Sequence, residues 1–236
     1  MINKENSYCF FSENINPNLI LLDSNEKHHC INVLRFNIDD QVLVTDGKGN
    51  LALCKIFNID NRNVYLKPIE IQKFDKPKKI INLFIGLIEN TNKIKLIVEK
   101  ATELGVNKIC FIKAQLSNRK KLNITKLKSI SISALKQSKN VYLPKIEYIN
   151  NILILKNILK DSSLNIVCDF QGQQFSYDLF KDYNIFNIFI GPEGGFSEKE
   201  KNFFINNKFY FLKLSDNILT TETAVITAIG LLTNLF

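Results

Sequence analysis

The strongest constraint on how this chain can fold is a change of hydrophobic rhythm partway along it. Residues 8 to 72 carry short apolar segments, Tyr8-Phe11, Asp40-Thr45, Leu51-Asn58 and Asn63-Ile71, divided by turn residues. Such short alternating runs specify strands with one buried face. Asp46-Gly47-Lys48-Gly49-Asn50 is the expected hairpin turn between two of them. Among these strands, Cys30, Val33 and Leu34 recur at helical spacing behind Ser24, so a short helix capped by Ser24 is predicted. Charges and Pro77 then interrupt the pattern between Gln72 and Lys79. A domain boundary is expected there, with a small β-barrel over residues 1–72 and a second domain over residues 76–236.

Beyond the boundary, strand patterns alternate with helical ones. Ile80-Leu87, Lys108-Ala114, Asn165-Asp169, Ile185-Ile190 and Phe209-Leu214 read as strands; Lys93-Leu104, Ile124-Gln137, Glu198-Asn206 and Thr221-Phe236 read as helices. Gly105 stands where a helix C-cap belongs. The rhythm predicts an α/β domain whose ligands bind at the carboxyl ends of its strands.

Two loops at such ends have unusual chemistry. Three of the nine glycines fall in Ile190-Gly191-Pro192-Glu193-Gly194-Gly195-Phe196-Ser197, beside one of only five prolines. Missing Cβ atoms and a fixed proline φ describe a rigid loop that something approaches closely. Downstream, Leu219-Thr220-Thr221-Glu222-Thr223-Ala224 opens the last helix, with Thr221 or Thr223 as the expected cap and Glu222 near the helix N-terminus, where negative charge is favoured.

Charge narrows the partners. The net charge is +8, yet residues 76 to 147 hold 16 basic and 4 acidic groups while residues 1 to 72 hold 7 and 9. One segment thus carries the positive field, and a polyanion such as nucleic acid is the expected partner. No apolar run is long enough to cross a membrane, and the first residues lack the order of a signal peptide, so a soluble, cytoplasmic protein is expected. The five cysteines are odd in number and form no Cys-x-x-Cys pair, and only two histidines occur. A disulfide framework, a zinc site and a Ser-His-Asp triad are therefore not expected. Neither G-x-G-x-x-G nor G-x-x-x-x-G-K-[ST] is present.

Six pieces in fixed order carry a resemblance covering nearly the whole chain: His28-His29 with Val33-Leu34-Arg35; Asp46-Gly47-Lys48-Gly49; Glu99-Lys100-Ala101-Thr102-Glu103-Leu104-Gly105-Val106; Gln137-Ser138 with Pro144; Ile190-Gly191-Pro192-Glu193-Gly194-Gly195-Phe196; and Ile218-Leu219 with Thr221-Glu222-Thr223-Ala224. In this order they resemble the RsmE family, bacterial 16S rRNA uridine-N3 methyltransferases of the SPOUT superfamily. The resemblance implies an N-terminal PUA-like β-barrel and a C-terminal SPOUT α/β-knot domain, a deep trefoil knot, one of the rare exceptions to unthreaded topology.

It also implies S-adenosylmethionine held over Ile190, Gly191, Pro192, Glu193, Gly194 and Gly195 and against Leu214, Ser215, Ile218, Leu219 and Thr221. A homodimer and 16S rRNA or the small ribosomal subunit are the implied partners, and the methyl transfer calls for no metal. Glu222 is the candidate for proton handling or target orientation, beside its alternative role of stabilising a helix N-terminus; Glu193 is expected to shape the cofactor loop. Arg35, Lys100 and Arg119 are candidates for RNA contact, each alternatively a surface charge or local salt bridge. Where the family carries arginine, this chain has Thr220, Asn217 and Asn140, and Lys139 or Lys213 is a substitute lacking arginine's planar fork. Two rivals remain at this stage: a SPOUT methyltransferase with a tRNA or another rRNA target, and a PUA-type RNA-binding protein without catalysis.

Overall fold

The computed structural model describes residues 2–4, 7–117, 122–157, 159 and 162–233. They divide into two compact units, Met1–Lys76 with Ile132–Leu143, and Pro77–Ser131 with Pro144–Phe236. The first unit therefore takes in a dozen residues from the second half of the chain.

In the first unit, β1 (Cys9–Phe11), β2 (Ile20–Leu22), β3 (Gln41–Thr45), β4 (Asn50–Ile59) and β5 (Val64–Lys73) form a sheet ordered β1-β3-β4-β5-β2. β1 runs parallel to β3; the other neighbours are antiparallel. The predicted hairpin turn joins β3 to β4. Asp46 Oδ1 accepts from the backbone N–H of Lys48 at 2.7 Å and of Asn50 at 3.1 Å, the local bonding that suits aspartate to turns.

One face of this sheet buries Phe10, Val42, Val44, Ala52, Cys54, Ile56, Val64 and Leu66. Its other face sets Cys9, Leu43 and Leu51 against Ile2 and Val141. Val141 is tied in by backbone bonds: Gly49 N–H donates to its carbonyl at 2.8 Å and Leu143 N–H to the Gly47 carbonyl at 2.9 Å. Covered on both faces, β3 is buried from Val42 to Thr45 and loses the alternation of a one-sided strand.

Two local expectations need correction here. Asp23, not Ser24, caps α1 (Ser24–Lys27), accepting from Asn25 N–H and Glu26 N–H at 2.9 Å each. The chain then widens into a π-helical turn, His28–Val33, in which Leu34 N–H reaches the His29 carbonyl five residues back. That wider turn leaves Cys30 buried but rotates Val33 out to 56% exposure, breaking the predicted apolar face.

The second unit is built on six strands: β6 (Ile80–Gly86), β7 (Lys108–Ile112), β8 (Lys145–Ile149), β9 (Leu164–Gln173), β10 (Ile185–Ile190) and β11 (Tyr210–Leu212). They order as β11-β9-β10-β6-β7-β8, and every pairing is parallel. The helices are α2 (Thr91–Glu103), α3 (Ile124–Ser138), α4 (Tyr177–Phe180), α5 (Glu198–Asn206) and α6 (Thr221–Thr233); residues 234–236 of the predicted last helix lie outside the described residues.

α2 and α6 cover one face through Ile94, Ile97, Val98, Val225, Ala228 and Ile229. On the other face a phenylalanine cluster includes Phe84 stacked on Phe189 at 4.6 Å and, from α5, Phe204 at 5.6 Å from Phe189. Burial on both faces explains the near-continuous apolar runs of β6 and β10. Gly105 ends α2 as predicted, at φ 77°, with Val106 N–H bonded to the Ala101 carbonyl. β8 and α4 were not predicted, and β9 runs on to Gln173 instead of stopping at Asp169.

The sheet is also laced by asparagines near its strand starts. Asn107 donates to Asn82 at 2.9 Å, Asn82 to Asn187 at 2.8 Å, and Asn187 to Asn165 at 2.8 Å and Ser163 at 2.9 Å. Asn82, Asn187 and Asn165 are register partners on adjacent strands, so the side chains repeat the ladder of the backbone. A one-residue slip would unmake every bond and turn the amides toward the face covered by α2 and α6. Asn187 is 3% exposed and bonds on both sides. Asn187→Ala is expected to lower unfolding free energy by about 1–3 kcal/mol, read as a reduced urea midpoint at unchanged m-value; an unchanged midpoint would show that the ladder contributes nothing.

Candidate active site

Both loops singled out in the sequence lie at the carboxyl end of the parallel sheet, and the structure shows how each is held. The first follows β10 and turns tightly, with Gly195 N–H donating to the Pro192 carbonyl at 2.8 Å and Gly195 at φ 71°. It presses on the end of β6 so closely that a Cβ on Gly86 would stand 2.3 Å from Pro192 Cδ. Its far end enters α5 through a capping box: Ser197 N–H donates to Glu200 Oε2 at 2.8 Å, and Glu200 N–H to Ser197 Oγ at 3.3 Å. The buried Glu200 also takes Gln115 N–H at 2.8 Å, fixing the loop to the segment after β7.

The second loop, residues 213–220, leaves β11. Lys213 N–H donates to the Gln173 carbonyl at 2.7 Å, and a Cβ on Gly172 would lie 2.6 Å from the Leu212 carbonyl carbon. α6 then starts at Thr221. Thr220, not Thr221 or Thr223, occupies the cap: its carbonyl accepts from Ala224 N–H at 2.9 Å and its hydroxyl lies 3.0 Å from that of Thr223. Thr221 instead turns back, donating from Oγ1 to the Gly191 carbonyl at 3.4 Å and joining the two loops.

Between the loops lies a cleft of ≈ 570 Å³. Of the residues expected at a cofactor, Ile190, Gly191, Pro192, Glu193, Gly195, Ile218, Leu219 and Thr221 line it. Leu214 and Ser215 line an adjoining space of ≈ 120 Å³ that shares Ile218 and Leu219. Gly194 lines neither; a Cβ there would meet Leu116 Cβ at 3.3 Å.

Sequence reasoning missed a third wall, Cys168-Asp169-Phe170-Gln171 of β9, and two lysines, Lys93 near the start of α2 and Lys201 of α5. The rule that ligands gather at strand ends points to β9 as much as to β10, but no glycine or proline marked it. Lys201 pairs with Asp169 at 3.3 Å, and Lys213 lies over the Phe170 ring at 5.3 Å.

Glu222 is absent from the cleft lining, and it has the partner its sequence context did not reveal: Lys93 Nζ stands 3.2 Å from its Oε1. Its other oxygen, Oε2, is buried and makes no hydrogen bond. Burial acts to raise the carboxyl pKa, but hydrogen bonds from its own backbone N–H, Lys93 and Thr220 outweigh it, and the net shift is downward.

The four residues proposed for RNA contact are scattered. Arg35 is exposed in the first unit at φ 60°. Lys100 is bound to Glu103 at 2.8 Å, which raises its pKa, so its charge is balanced locally. Lys139 is in the first unit, its ammonium bonded to the Lys4 carbonyl. Arg119 lies outside the described residues. The structure brings none of these into the cleft.

Comparison with known proteins identifies the family. Residues 75–233 match the family model of an RNA methyltransferase domain, and residues 22–69 that of an RNA methyltransferase PUA domain. Ribosomal RNA small subunit methyltransferase E of Aquifex aeolicus is 30% identical over 233 residues, covering 96% of this chain and 99% of its own length. Ribosomal RNA small subunit methyltransferase E 2 of Borreliella burgdorferi is 29% identical over 214 residues, 88% of either chain. Among solved structures, a ribosomal RNA small subunit methyltransferase E from Neisseria gonorrhoeae bound to S-adenosyl methionine superposes with a TM-score of 0.85 at 21% identity, covering 98% of both chains. That likeness shows the fold, a PUA-like barrel followed by an α/β domain on a parallel sheet. With one family model matched over most of its length and a relative 30% identical along nearly all of it, this chain belongs to the ribosomal RNA small subunit methyltransferase E family of RNA methyltransferases.

Proposed function

We propose that the chain transfers a methyl group from S-adenosylmethionine to N3 of a uridine in 16S rRNA, acting as a homodimer in the cytoplasm. The observation that carries this reading is the convergence of the two loops on one cleft in a chain of this family. The cofactor fits the residues present. A volume of ≈ 570 Å³ is within the usual range for sites of small ligands, a Cβ on Gly195 would meet nothing within 4 Å, and the walls offer apolar Ile190, Ile218 and Leu219 beside the charged Asp169, Lys93 and Lys201. Ile190 to Gly195, with Leu214, Ser215, Ile218, Leu219 and Thr221, would hold it largely through backbone groups. Gly194 keeps the loop against Leu116.

When bound, S-adenosylmethionine supplies a methyl group on a positively charged sulfur. N3 of uracil is an imide nitrogen on the Watson–Crick edge, so the protein must receive an unpaired base and favour loss of the N3 proton to solvent water. Lys93, a cation on the cleft wall, stabilises negative charge developing on the imide. Glu222 does not take the proton, because a carboxyl with a lowered pKa is a weak base; lying behind the cleft wall, it acts by holding Lys93, 3.2 Å away, in place. The apolar α6 supplies the face for the second copy.

Three outcomes are expected. Mass spectrometry of 16S rRNA should show one N3-methyluridine lost when the gene is deleted and restored by the wild-type chain; an unchanged rRNA excludes this substrate. Gly86→Ala, which forces Pro192 away, should weaken S-adenosylmethionine binding by about tenfold or more in calorimetry, and wild-type affinity would place the cofactor elsewhere. Because its pKa is lowered, Glu222 is ionised at neutral pH and should contribute no limb to the pH–rate profile there. Glu222→Gln should then slow transfer without changing the profile's shape; a limb that vanishes in this variant would make Glu222 the base.

A further inference from the structure

The first unit contains a separate cavity of ≈ 750 Å³ that the methyl-transfer reading leaves unused. Tyr8 and Cys9 wall it from the start of the sheet, His29 from the π-helical turn, and Lys136, Gln137 and Lys139 from the end of α3. Its charge is positive. Lys136 is balanced, with Nζ 2.5 Å from Glu26 Oε1. Lys139 is not: its ammonium donates to the Lys4 carbonyl, and Lys4 Nζ donates back to the Lys139 carbonyl at 2.9 Å. Among the described residues no carboxylate lies within ion-pair distance of either ammonium, so main-chain oxygens hold two cations in place.

The backbone at Lys139 is also constrained. It stands at φ 53° directly after α3, where Asn140 N–H closes on the Leu135 carbonyl at 3.1 Å. Helices that end this way usually place glycine in that left-handed position. Lys208 ends α5 in the same way, at φ 57°, so this ending fixes where the Lys139 side chain starts without by itself marking a site. Tyr8, meanwhile, is 55% exposed, with its ring edge-on to Phe36 at 5.6 Å. Cys9 takes no covalent part, since burial pushes its thiol up to about 12 and keeps it protonated at neutral pH.

An aromatic ring, an amide that both donates and accepts, and an anchored ammonium group in one cavity are what an unstacked nucleotide requires. We propose that this cavity binds a single unpaired nucleotide of the RNA, with its base stacked on Tyr8, its edge read by Gln137 and its phosphate held by Lys139, whose ammonium the Lys4 carbonyl anchors. The site rests on the RNA-substrate reading above and is distinct from the cleft that takes the reacting uridine.

The test uses the full chain and fluorescence anisotropy with an unstructured single-stranded RNA and its fully paired duplex. Tyr8→Ala should raise the Kd for the single strand by about 5- to 100-fold, the range of one lost base–aromatic stack, and leave the duplex Kd unchanged; Tyr8→Phe should restore single-strand binding. Lys139→Gln should reduce the slope of log K against log salt by about one. S-adenosylmethionine affinity and the melting temperature, measured alongside, should match wild type. If both variants bind the single strand as wild type does, or lose single strand and duplex equally, the nucleotide cavity is excluded while methyl transfer stands. Should Tyr8→Ala melt early, Lys139→Gln decides alone. Failure of the wild-type chain to bind S-adenosylmethionine would instead overturn the enzyme reading.

Discussion

The second unit depends on the chain passing against itself at two places where only a missing Cβ leaves room. At Gly86 the strand end meets Pro192, and at Gly172 it meets the backbone of Leu212 and Lys213. These contacts bring the loop after β10 and the loop after β11 to the same end of a wholly parallel sheet, where a ligand would find backbone groups from both. The hydroxyl of Thr221 then links them through the Gly191 carbonyl. A rigid site thus emerges from steric permission at two glycines more than from any strong bond.

The opposite end of the same sheet is fixed by different chemistry. Asparagine amides run from Asn107 through Asn82 and Asn187 to Asn165, each satisfying the next. Buried amides are tolerable only when bonded, so the ladder penalises any other register, while the carboxyl ends stay free to be shaped by loops. Between the two ends, phenylalanines on one face and aliphatic residues of α2 and α6 on the other supply the burial. Structure and site are in this way divided along the strands.

Much of this was legible in the chain. The runs Ile185–Ile190 and Glu198–Asn206 are long or strongly patterned, and both were predicted to the residue. β2 and α4 were missed because three or four residues carry too little periodicity to rise above their surroundings. The cap residues Asp23 and Thr220 were each misplaced by a residue or more, since neighbouring serines, threonines and aspartates compete for the same role and only geometry chooses. The two loops announced themselves through glycine and proline, yet the wall Cys168 to Gln171 did not, because it presents ordinary strand residues. Nor could the sequence show that Lys93 faces Glu222 across more than a hundred positions.

The first unit's dependence on Ile132–Leu143 bears on how the chain comes to be folded. The strands from β1 to β5 are complete by Lys73, but the face formed by Cys9, Leu43 and Leu51 is closed only when Val141 docks. During synthesis that face must wait, open to solvent, while nearly seventy further residues are made. The N-terminal strands are therefore not a self-sufficient module, and the chain cannot be cut at its apparent linker without removing part of the barrel's own core.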